Sequence, residues 1–443
     1  MRTMPPRAVS GLQERATASS AVSVPSRAPE AVSGPLWRAR EILDDPITAG
    51  VLYSAWSGDP AVICPAAPGA GKTRLVALLA ASLADRAGLR VGVAAQTREQ
   101  AAEIANRLGR LTDSAQLLWG RKGSPPPVQS VRVVGGVGAR FPATGGGVIV
   151  ATTARWIYAD HDSLGCDVML VDEAWQATYA DLGCLGAFAA QVVCVGDPGQ
   201  IAPVVTGSTT RWEGSATAPH LPAPTALLAA HKDAVTVVRL TNTWRLGPQT
   251  TALVQPAFYP DLPFTSRRPP EHITDRDGRV LPEITARPLP VRGGPSDPVL
   301  VSECATSARA LIGTQLTTAE GTRDLTDRDV MVVCPHVSQA AAVRALLADL
   351  PGVMVGTANA VQGMERPASV VLHPLAGYRD PAGFGLDPGR ACVMLSRHRA
   401  HALVVTDRAT GAVLNHAEPS ESIRIHQHVW ASFYPDESSW DTT

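Results

Sequence analysis

The stretch Ala66-Ala67-Pro68-Gly69-Ala70-Gly71-Lys72-Thr73 decides the fold of this chain. It follows a short apolar run at residues 61–64 and precedes a helical pattern at 75–83. A strand, a glycine loop and a helix in that order aim backbone N–H groups and a helix N-terminus at one point, which suits a polyphosphate. A plain glycine-rich turn is the alternative, and the Gly-Lys-Thr ending argues against it.

The positions of this loop have different predicted roles. Lys72 is predicted to reach the terminal phosphates, and the Thr73 hydroxyl is predicted to ligate Mg²⁺. The usual pattern begins with a glycine where this chain has Ala66, which is tolerable if the φ of Ala66 is negative. The residues predicted to bind the phosphates are Pro68, Gly69, Ala70, Gly71, Lys72 and Thr73.

Composition sets the class of protein. The 443 residues are enough for two or three domains, and 45% of them are hydrophobic, which allows a sizeable core. Lys and Arg number 39 against 40 Asp and Glu, so no global charge attracts nucleic acid or membrane. The seven cysteines show no Cys-x-x-Cys spacing, which favours a reducing, cytoplasmic location without disulfides or zinc. No apolar run approaches about 18 residues, so we expect no membrane span.

Apolar runs that resemble strands alternate with helical stretches along the chain. This alternation predicts an α/β fold with parallel sheets that carry helices on both faces. The runs fall into two sets, at 61–64, 89–95, 148–151, 168–171 and 192–195, and at 235–240, 330–334, 353–355, 370–372 and 402–405.

The two sets predict two α/β domains. We expect a disordered tail at 1–35, a first domain at 36–232, a second domain at 233–430 and a C-terminal tail at 431–443. Residues 262–298 are rich in Pro and Arg with weak periodicity, and are predicted to be an insertion or long loop in the second domain.

Polar residues follow two of the predicted strands. The run at 168–171 ends in Asp172 and Glu173, which after a phosphate loop would hold Mg²⁺ and orient the attacking water, respectively. The run at 192–195 leads into Gly-Asp-Pro-Gly-Gln, where Gln200 is placed to contact a γ-phosphate. The alternative for this second motif is a simple Gly-Asp-Pro-Gly turn.

In this order, the phosphate loop, Asp-Glu-Ala-Trp-Gln at 172–176 and Gly-Asp-Pro-Gly-Gln at 196–200 resemble a superfamily 1 helicase. The resemblance covers roughly residues 45–410 and is strongest to the branch around the nonsense-mediated-decay RNA helicase and its DNA-acting relatives. The later motifs that carry it are Asn242-Thr243-Trp244-Arg245, Phe258-Tyr259-Pro260-Asp261-Leu262, Cys334-Pro335-His336-Val337-Ser338-Gln339, Gln362-Gly363-Met364-Glu365 and Leu395-Ser396-Arg397-His398-Arg399.

The resemblance implies two tandem RecA-like domains with minimal accessory insertions and ATP bound between them. It implies that Gln200 senses the γ-phosphate and that Arg245 and Arg397 act as arginine fingers from the second domain. Such an arginine is worth roughly 10³–10⁵ in rate, because it stabilises charge on the transferring phosphoryl group. For Arg245 a surface ion pair is the alternative. Gly363 and Glu365 are implied to contact the nucleotide.

The resemblance also implies contacts with single-stranded DNA or RNA. Gln96 and Thr97 follow the run at 89–95, and Thr152 and Thr153 follow the run at 148–151. Hydroxyl and backbone N–H groups at strand ends would hold phosphates without reading sequence. Residues 86–140 are locally basic, which fits either a phosphate backbone or a solvated face.

Aromatic and histidine residues near these motifs have a simpler alternative. Trp156, Trp175 and Trp244 are candidates to stack on bases, but tryptophan is more often interior, and we expect each to be buried. His426 and His428 form a His-x-His, which we expect to be exposed loop residues rather than metal ligands.

Two departures from the family bear on function. Residues 36–60 contain no Gln, whereas the family reads adenine with a Gln roughly twenty residues before the loop; other nucleoside triphosphates are therefore candidates. The accessory segments of larger relatives are nearly missing, which favours translocation or remodelling over processive unwinding.

These observations predict an ATP-dependent helicase or translocase that needs Mg²⁺ and moves along single-stranded nucleic acid. We expect a monomeric core, with protein partners supplying loading or unwinding functions. The alternative is a nucleic-acid-dependent ATPase switch or adaptor that separates no strands. A small-molecule kinase or unrelated P-loop ATPase would leave Arg245 and Arg397 without roles.

Overall fold

The computed structural model describes residues 37–120, 128, 130–135, 138–381 and 383–434. From Arg38 onward these residues belong to one compact unit. The tail predicted at 1–35 lies outside the described residues, as does 435–443 of the tail predicted at 431–443. The first residues of that C-terminal tail are helical, because a helix that begins at Glu421 continues to Phe433.

In the described part of the chain, eight strands form a first sheet in the order β4-β3-β5-β2-β6-β7-β1-β8. Every pair of neighbours is parallel. The carboxyl ends of these strands therefore share one edge of the sheet. The strands are β1 (Ala61–Pro65), β2 (Arg90–Ala95), β3 (Ala115–Leu118), β4 (Arg132–Val134), β5 (Gly147–Thr152), β6 (Cys166–Val171), β7 (Ala189–Gly196) and β8 (Val235–Val237).

Helices connect these strands, and local capping fixes where the helices begin. Asp45 caps the first helix, and Thr97 and Gln100 form a reciprocal capping box at the third. The helices of this part are α1 (Pro46–Ser57), α2 (Lys72–Ala87), α3 (Arg98–Leu108), α4 (Thr153–Ile157), α5 (His161–Leu164), α6 (Tyr179–Leu185) and α7 (Ala223–Ala230).

The rest of the chain builds a second parallel sheet in the order β12-β18-β17-β15-β16, a small antiparallel sheet β11-β13-β14 and a short pair β10-β9. The strands are β9 (Asn242–Thr243), β10 (Thr265–Ser266), β11 (His272–Thr274), β12 (Ile284–Leu289), β13 (Gln315–Thr318), β14 (Gly321–Asp324), β15 (Val330–Cys334), β16 (Met354–Thr357), β17 (Arg366–Leu372) and β18 (His398–Asp407). The helices are α8 (Pro248–Phe258), α9 (Pro298–Leu311), α10 (Val337–Leu346), α11 (Pro388–Leu395), α12 (Thr410–His416) and α13 (Glu421–Phe433).

An apolar cluster joins the two sheets. Ala67 follows β1 and Ile201 follows β7, and both are buried in the same cluster as Val361 and Ala391 of the second part. Burial of apolar area at this junction stabilises the contact at roughly 25 cal/mol per Å². The carboxyl edge of the first sheet is therefore held against the second part of the chain.

The predicted fold class is confirmed: two large parallel sheets are flanked by helices. Within the described residues, no helix combines the length and the apolar character that crossing a membrane requires.

Two local expectations were wrong. The run at 235–240 was grouped with the second set of strands, but Val235–Val237 pairs with β1 in the first sheet. The chain leaving α7 meets the open edge of β1 before it crosses to the second part. The segment 262–298 is also no mere insertion, because it contributes β12 to the second sheet beside β18. As an edge strand β12 is only half-buried and tolerates Pro288, which weakens its sequence pattern.

Candidate nucleotide and nucleic-acid site

The loop between β1 and α2 has the backbone that its glycines predict. Gly69 and Gly71 adopt left-handed conformations, with φ of 73° and 83°. Among described non-glycine residues, only Ser130 and Glu173 have positive φ, so Ala66 has the negative φ that its side chain requires. The Ala66 N–H donates to the Gly196 carbonyl at 2.9 Å, which ties the loop to the end of β7.

Lys72 is the first residue of α2, and its side chain is buried. Its Nζ lies 3.4 Å from Asp197 Oδ2. Asp197 also accepts from Gln200 Nε2 at 2.5 Å, from the Gly199 N–H at 3.0 Å and from the Tyr259 hydroxyl at 2.6 Å. Four donors therefore satisfy this buried carboxylate.

The acid pair at the end of β6 lies beside the loop. The Thr73 hydroxyl donates to Asp172 Oδ2 at 3.1 Å, and the Glu173 N–H donates to Asp172 Oδ1 at 3.0 Å. Burial, with the nearby Glu173 charge, raises the pKa of Asp172 to about 7. Glu173 has a φ of 49°, a costly backbone conformation for a residue with a side chain, and such strain concentrates at functional sites.

The oxygens of Thr73 and Asp172 fit Mg²⁺. This ion prefers hard oxygen ligands and is usually held by one or two carboxylates together with substrate phosphates. The hydrogen bond from Thr73 and the charge of Lys72 do not offset the burial of Asp172 and the charge of Glu173, and a divalent cation would supply further positive charge there.

Besides the hydrogen bond from Tyr259 to Asp197, further contacts connect the Gly-Asp-Pro-Gly-Gln segment to the second part of the chain. Gln362 Nε2 donates to Gln200 Oε1 at 3.2 Å. The Tyr259 ring packs so closely on Gly199 that a Cβ there would collide with it. Asp197, Tyr259 and Gln362 lie within motifs that the sequence shows, but their types and spacing alone indicate no role for these three side chains.

Arg245 lies against the phosphate loop. A Cβ at Gly69 would collide with Arg245 Cβ, and the Trp244 N–H donates to the Gly69 carbonyl at 3.0 Å. Arg245 Nε lies 2.5 Å from Glu365 Oε2 in an ion pair that is mostly buried on the arginine side. The ion pair named as the alternative thus exists, but it lies at the loop rather than at the open surface.

Arg397 is fully buried. Its guanidinium donates to the carbonyl of Val393 at 2.9 Å, to Ser396 Oγ at 2.8 Å and to the carbonyl of Met364 at 3.5 Å. No acidic side chain of the described residues lies within 4.0 Å of it. Burial, followed by repulsion from Arg245, lowers the pKa of Arg397 to about 10. A buried cation with only neutral acceptors is costly unless an anion arrives.

Gly363 and Glu365 follow β16 in one loop. Gly363 has a φ of 80°, which favours glycine. Burial alone would raise the pKa of Glu365, but Arg245 and Arg399 hold it below its ordinary value. Arg399 NH1 lies 3.6 Å from Glu365 Oε1.

The four predicted nucleic-acid residues meet at the carboxyl ends of the paired strands β2 and β5. Gln96 Nε2 donates to the Asp172 carbonyl at 3.2 Å, which links this group to the acid pair. Thr97 and Thr152 accept backbone N–H groups as caps of α3 and α4, and Thr153 is buried with its hydroxyl 3.4 Å from Gln96 Oε1. Each hydroxyl therefore already has a structural partner.

Some of the expectations for tryptophan and histidine residues agree with the structure and others do not. Trp156 is buried and donates to the Val93 carbonyl at 2.9 Å, as expected. Trp175 is partly buried, whereas Trp244 is 57% exposed, so its expected burial was wrong. His426 was also misjudged, because it is buried in α13 rather than exposed in a loop. Within the described ranges, no three His, Cys, Asp or Glu side chains form a group that could hold a metal ion.

Part of the chain is similar to a known domain family. Residues 50–222 match the model of the AAA domain family. No curated protein matches the chain. Among solved structures, the PRRSV helicase aligns at 16% identity and a TM-score of 0.42, covering 81% of this chain and 55% of its own.

Two structures of arterivirus nonstructural protein 10, a helicase, align at 14% identity. The first has a TM-score of 0.44 and coverage of 81% of this chain and 62% of that one. The second, a complex with DNA, has a TM-score of 0.45 and coverage of 82% and 64%. This chain thus spans less than two thirds of these proteins. The phosphate loop, Asp172, Glu173 and Gln200 all lie inside the region 50–222 that is similar to AAA domains, in a P-loop nucleotide-binding fold.

Proposed function

We propose that this protein hydrolyses a nucleoside triphosphate between its two parallel sheets and uses that reaction to move along single-stranded nucleic acid. The observation that carries the proposal is the position of Arg245 and Arg397. Both come from the second part of the chain; Arg245 touches the phosphate loop, and Arg397 is buried without an acidic partner. A γ-phosphate at Lys72 is the anion that these groups fit.

The loop side has a matching set of roles. Lys72 binds the terminal phosphates, Thr73 and Asp172 hold Mg²⁺, and Glu173 orients and deprotonates the attacking water. Mg²⁺ supplies positive charge to the phosphate oxygens when it is bound. Gln200 contacts the γ-phosphate and reports its loss through Gln362, to which it is already hydrogen-bonded.

The nucleobase has a candidate platform in Trp244. Its indole is exposed directly beside the loop, because its backbone N–H is held by Gly69. Stacking on an aromatic ring is tolerant of base identity, since every base has a π-face. Together with the absence of Gln from 36–60, this predicts that ATP and GTP are both accepted.

The nucleic-acid track follows the carboxyl edge of the first sheet, at Gln96, Thr97, Thr152 and Thr153. Backbone N–H groups and hydroxyl protons there would contact phosphates, which gives binding without sequence preference. Opening and closing of the two parts would alternate the grip on the strand. We assign these two parts to two domains: the first is the predicted 36–232 extended to include β8, and the second is the remainder of the predicted 233–430.

The test is hydrolysis with and without single-stranded DNA or RNA, with ATP and GTP side by side. We expect stimulation by at least one single strand and activity with both nucleotides. A rate that no single strand changes would exclude the motor. Glu173→Gln should abolish turnover and leave binding of a fluorescent nucleotide intact; retained turnover would remove Glu173 from its role.

A nucleic-acid-dependent switch without strand separation is the second candidate. It is favoured because, in the described residues, only α3, the strands β3 and β4 and their connections lie between β2 and β5, with no separate wedge domain. A forked duplex with a labelled strand separates the two: release of the strand with ATP supports a helicase, and stimulated hydrolysis without release supports the switch.

A further inference from the structure

Two side chains lie beside the predicted nucleic-acid residues at the carboxyl edge of the first sheet and have no role assigned so far. Arg98 is the first residue of α3, and Trp119 directly follows β3. The Arg98 guanidinium carbon lies 5.7 Å from the centre of the Trp119 ring. We propose that this pair is a binding site for one nucleotide of a single strand, in which Trp119 stacks on the base and Arg98 contacts the adjoining phosphate. The inference rests on the proposed function.

The sheet order places the pair. Reading outward from the acid pair at the end of β6, the carboxyl ends belong to β2, β5 and β3. Arg98 comes from the end of β2 and reaches Trp119 at the end of β3, so the pair spans the end of β5, where Thr152 and Thr153 stand. The pair thus continues the predicted track on the side away from the phosphate loop.

The state of each side chain fits this ligand. Arg98 is exposed, and no acidic side chain of the described residues lies within 4.0 Å of its guanidinium. Its charge is therefore open to a phosphate. An arginine over an indole is itself favourable, and it holds the guanidinium in place before the ligand arrives.

Trp119 is only partly buried, and its Nε1 is the buried edge. What it shows to solvent is accordingly apolar ring surface rather than the polar N–H. Its backbone N–H donates to the Val134 carbonyl at 2.9 Å, which fixes the residue to the adjoining strand β4. A fixed aromatic surface beside an unpaired cation is the usual composition of a single-strand site.

The test measures the affinity of fluorescent oligothymidylate and oligouridylate for the full chain over a series of salt concentrations. Arg98→Ala should weaken binding about 5-fold and reduce the slope of log affinity against log salt by roughly 0.7, the value for one released counterion. Arg98→Glu should weaken binding further, because it repels the phosphate.

Trp119→Leu should weaken binding about 5- to 100-fold with little change in the salt slope, and Trp119→Phe should restore most of the affinity, because a phenyl ring also stacks. Thermal melting establishes that each variant is folded. If Trp119→Leu does not fold, the two exposed Arg98 variants still decide the question.

The chain offers matched controls at the opposite, amino edge of the same sheet. Arg110 is exposed just beyond the last residue of α3, so Arg110→Ala removes the same charge from the other end of one helix. Trp56 is exposed near the end of α1, which leads into the amino end of β1, and Trp56→Ala removes an indole there. We expect both to bind like the unaltered protein.

The outcomes are distinct. Unaltered protein that binds neither oligonucleotide overturns the proposed function and this site together. Binding by the unaltered protein that the Arg98 and Trp119 variants retain, or lose no more than the controls, overturns this site alone. Loss with only one of the two oligonucleotides supports the site and assigns the strand as DNA or RNA.

Discussion

The two halves of the candidate nucleotide site differ in how their charges are compensated. On the first-sheet half, Lys72 pairs with Asp197, and Thr73 donates to Asp172. On the second-sheet half, Arg397 has only neutral acceptors. The cation of the loop half, Lys72, thus has a carboxylate partner, whereas the buried guanidinium of Arg397 has no acidic side chain of the described residues within 4.0 Å.

Because of this difference, we expect most of the free energy that nucleotide binding gains from contacts between the halves to come from Arg397. A phosphate that arrives at Lys72 competes with an existing partner, so its net gain there is modest. A phosphate that reaches Arg397 relieves an uncompensated charge in a medium of low dielectric constant, where the interaction is strong. Nucleotide binding should therefore hold the second part of the chain against the loop.

The largest expected effect comes from Arg397→Ala. We expect kcat to fall by about 10³–10⁵, because the buried guanidinium no longer meets the transferring phosphoryl group. Binding of a fluorescent nucleotide should change much less. Arg424→Ala, which removes an exposed arginine from α13, is the control and should leave kcat within a few-fold. A loss in kcat below tenfold for Arg397→Ala would break the comparison.

Asp172→Asn tests the acid of the loop half through pH. Its pKa of about 7 in the folded protein lies above its ordinary value of 3.8. Between these values the folded protein holds a proton that the unfolded chain has lost, so stability falls as pH rises through this window. Asp172→Asn should therefore raise Tm by several degrees near pH ~8 and by clearly less near pH ~5, measured without Mg²⁺. An equal gain at both pH values would show that Asp172 is ionised throughout.

Trp244→Ala tests whether the exposed indole at the junction of the halves serves the base. We expect KM for ATP and for GTP to rise about 5- to 100-fold with kcat nearly unchanged, since base stacking is worth about 1–3 kcal/mol. Trp56→Ala serves as the control for loss of an exposed tryptophan. A change for ATP alone would show that Trp244 contributes to the selection of adenine, and an unchanged KM for both nucleotides would contradict the stacking.

Tyr259→Phe gives the smallest expected effect and tests whether the Tyr259 hydroxyl stabilises Asp197 in the loop half. The ring packing on Gly199 and Phe264 is kept, and only the hydroxyl that donates to Asp197 is lost. We expect the free energy of unfolding to fall by about 1–2 kcal/mol in urea, because a buried carboxylate loses one donor. Tyr53→Phe removes a hydroxyl from an exposed side chain and should cost nothing measurable. If the two variants are equally stable, Asp197 does not depend on Tyr259.

The features that could be predicted from the sequence are those that short stretches of neighbouring residues encode. The phosphate loop and the central strands are continuous apolar runs next to glycines, so their positions follow from a few neighbouring residues. The edge strand β12 was missed because half-exposed edge strands show weak alternation and tolerate proline. The placement of β8 was missed because pairing with β1 is a choice between two sheets that local sequence does not encode.

The sequence named candidate residues for the site but not the contacts that these residues make. Tyr259 donates to Asp197, which is 62 residues away in the sequence, and no local sequence pattern predicts that hydrogen bond. The partners of Arg397 are likewise visible only in three dimensions, because two of them are backbone carbonyls. The roles assigned to Gln96, Thr97, Thr152 and Thr153 stay predictions, since their observed hydrogen bonds serve the fold.

The approach of Gly69 to Arg245 has a consequence for how the chain can vary. At this point the halves meet backbone to side chain, with no room for even one methyl group. The closest approach of the two halves at this point is therefore limited by contact between the Gly69 backbone and the Arg245 side chain. Any side chain at Gly69 would therefore push Arg245 away and increase the distance between the phosphate loop and the second part of the chain.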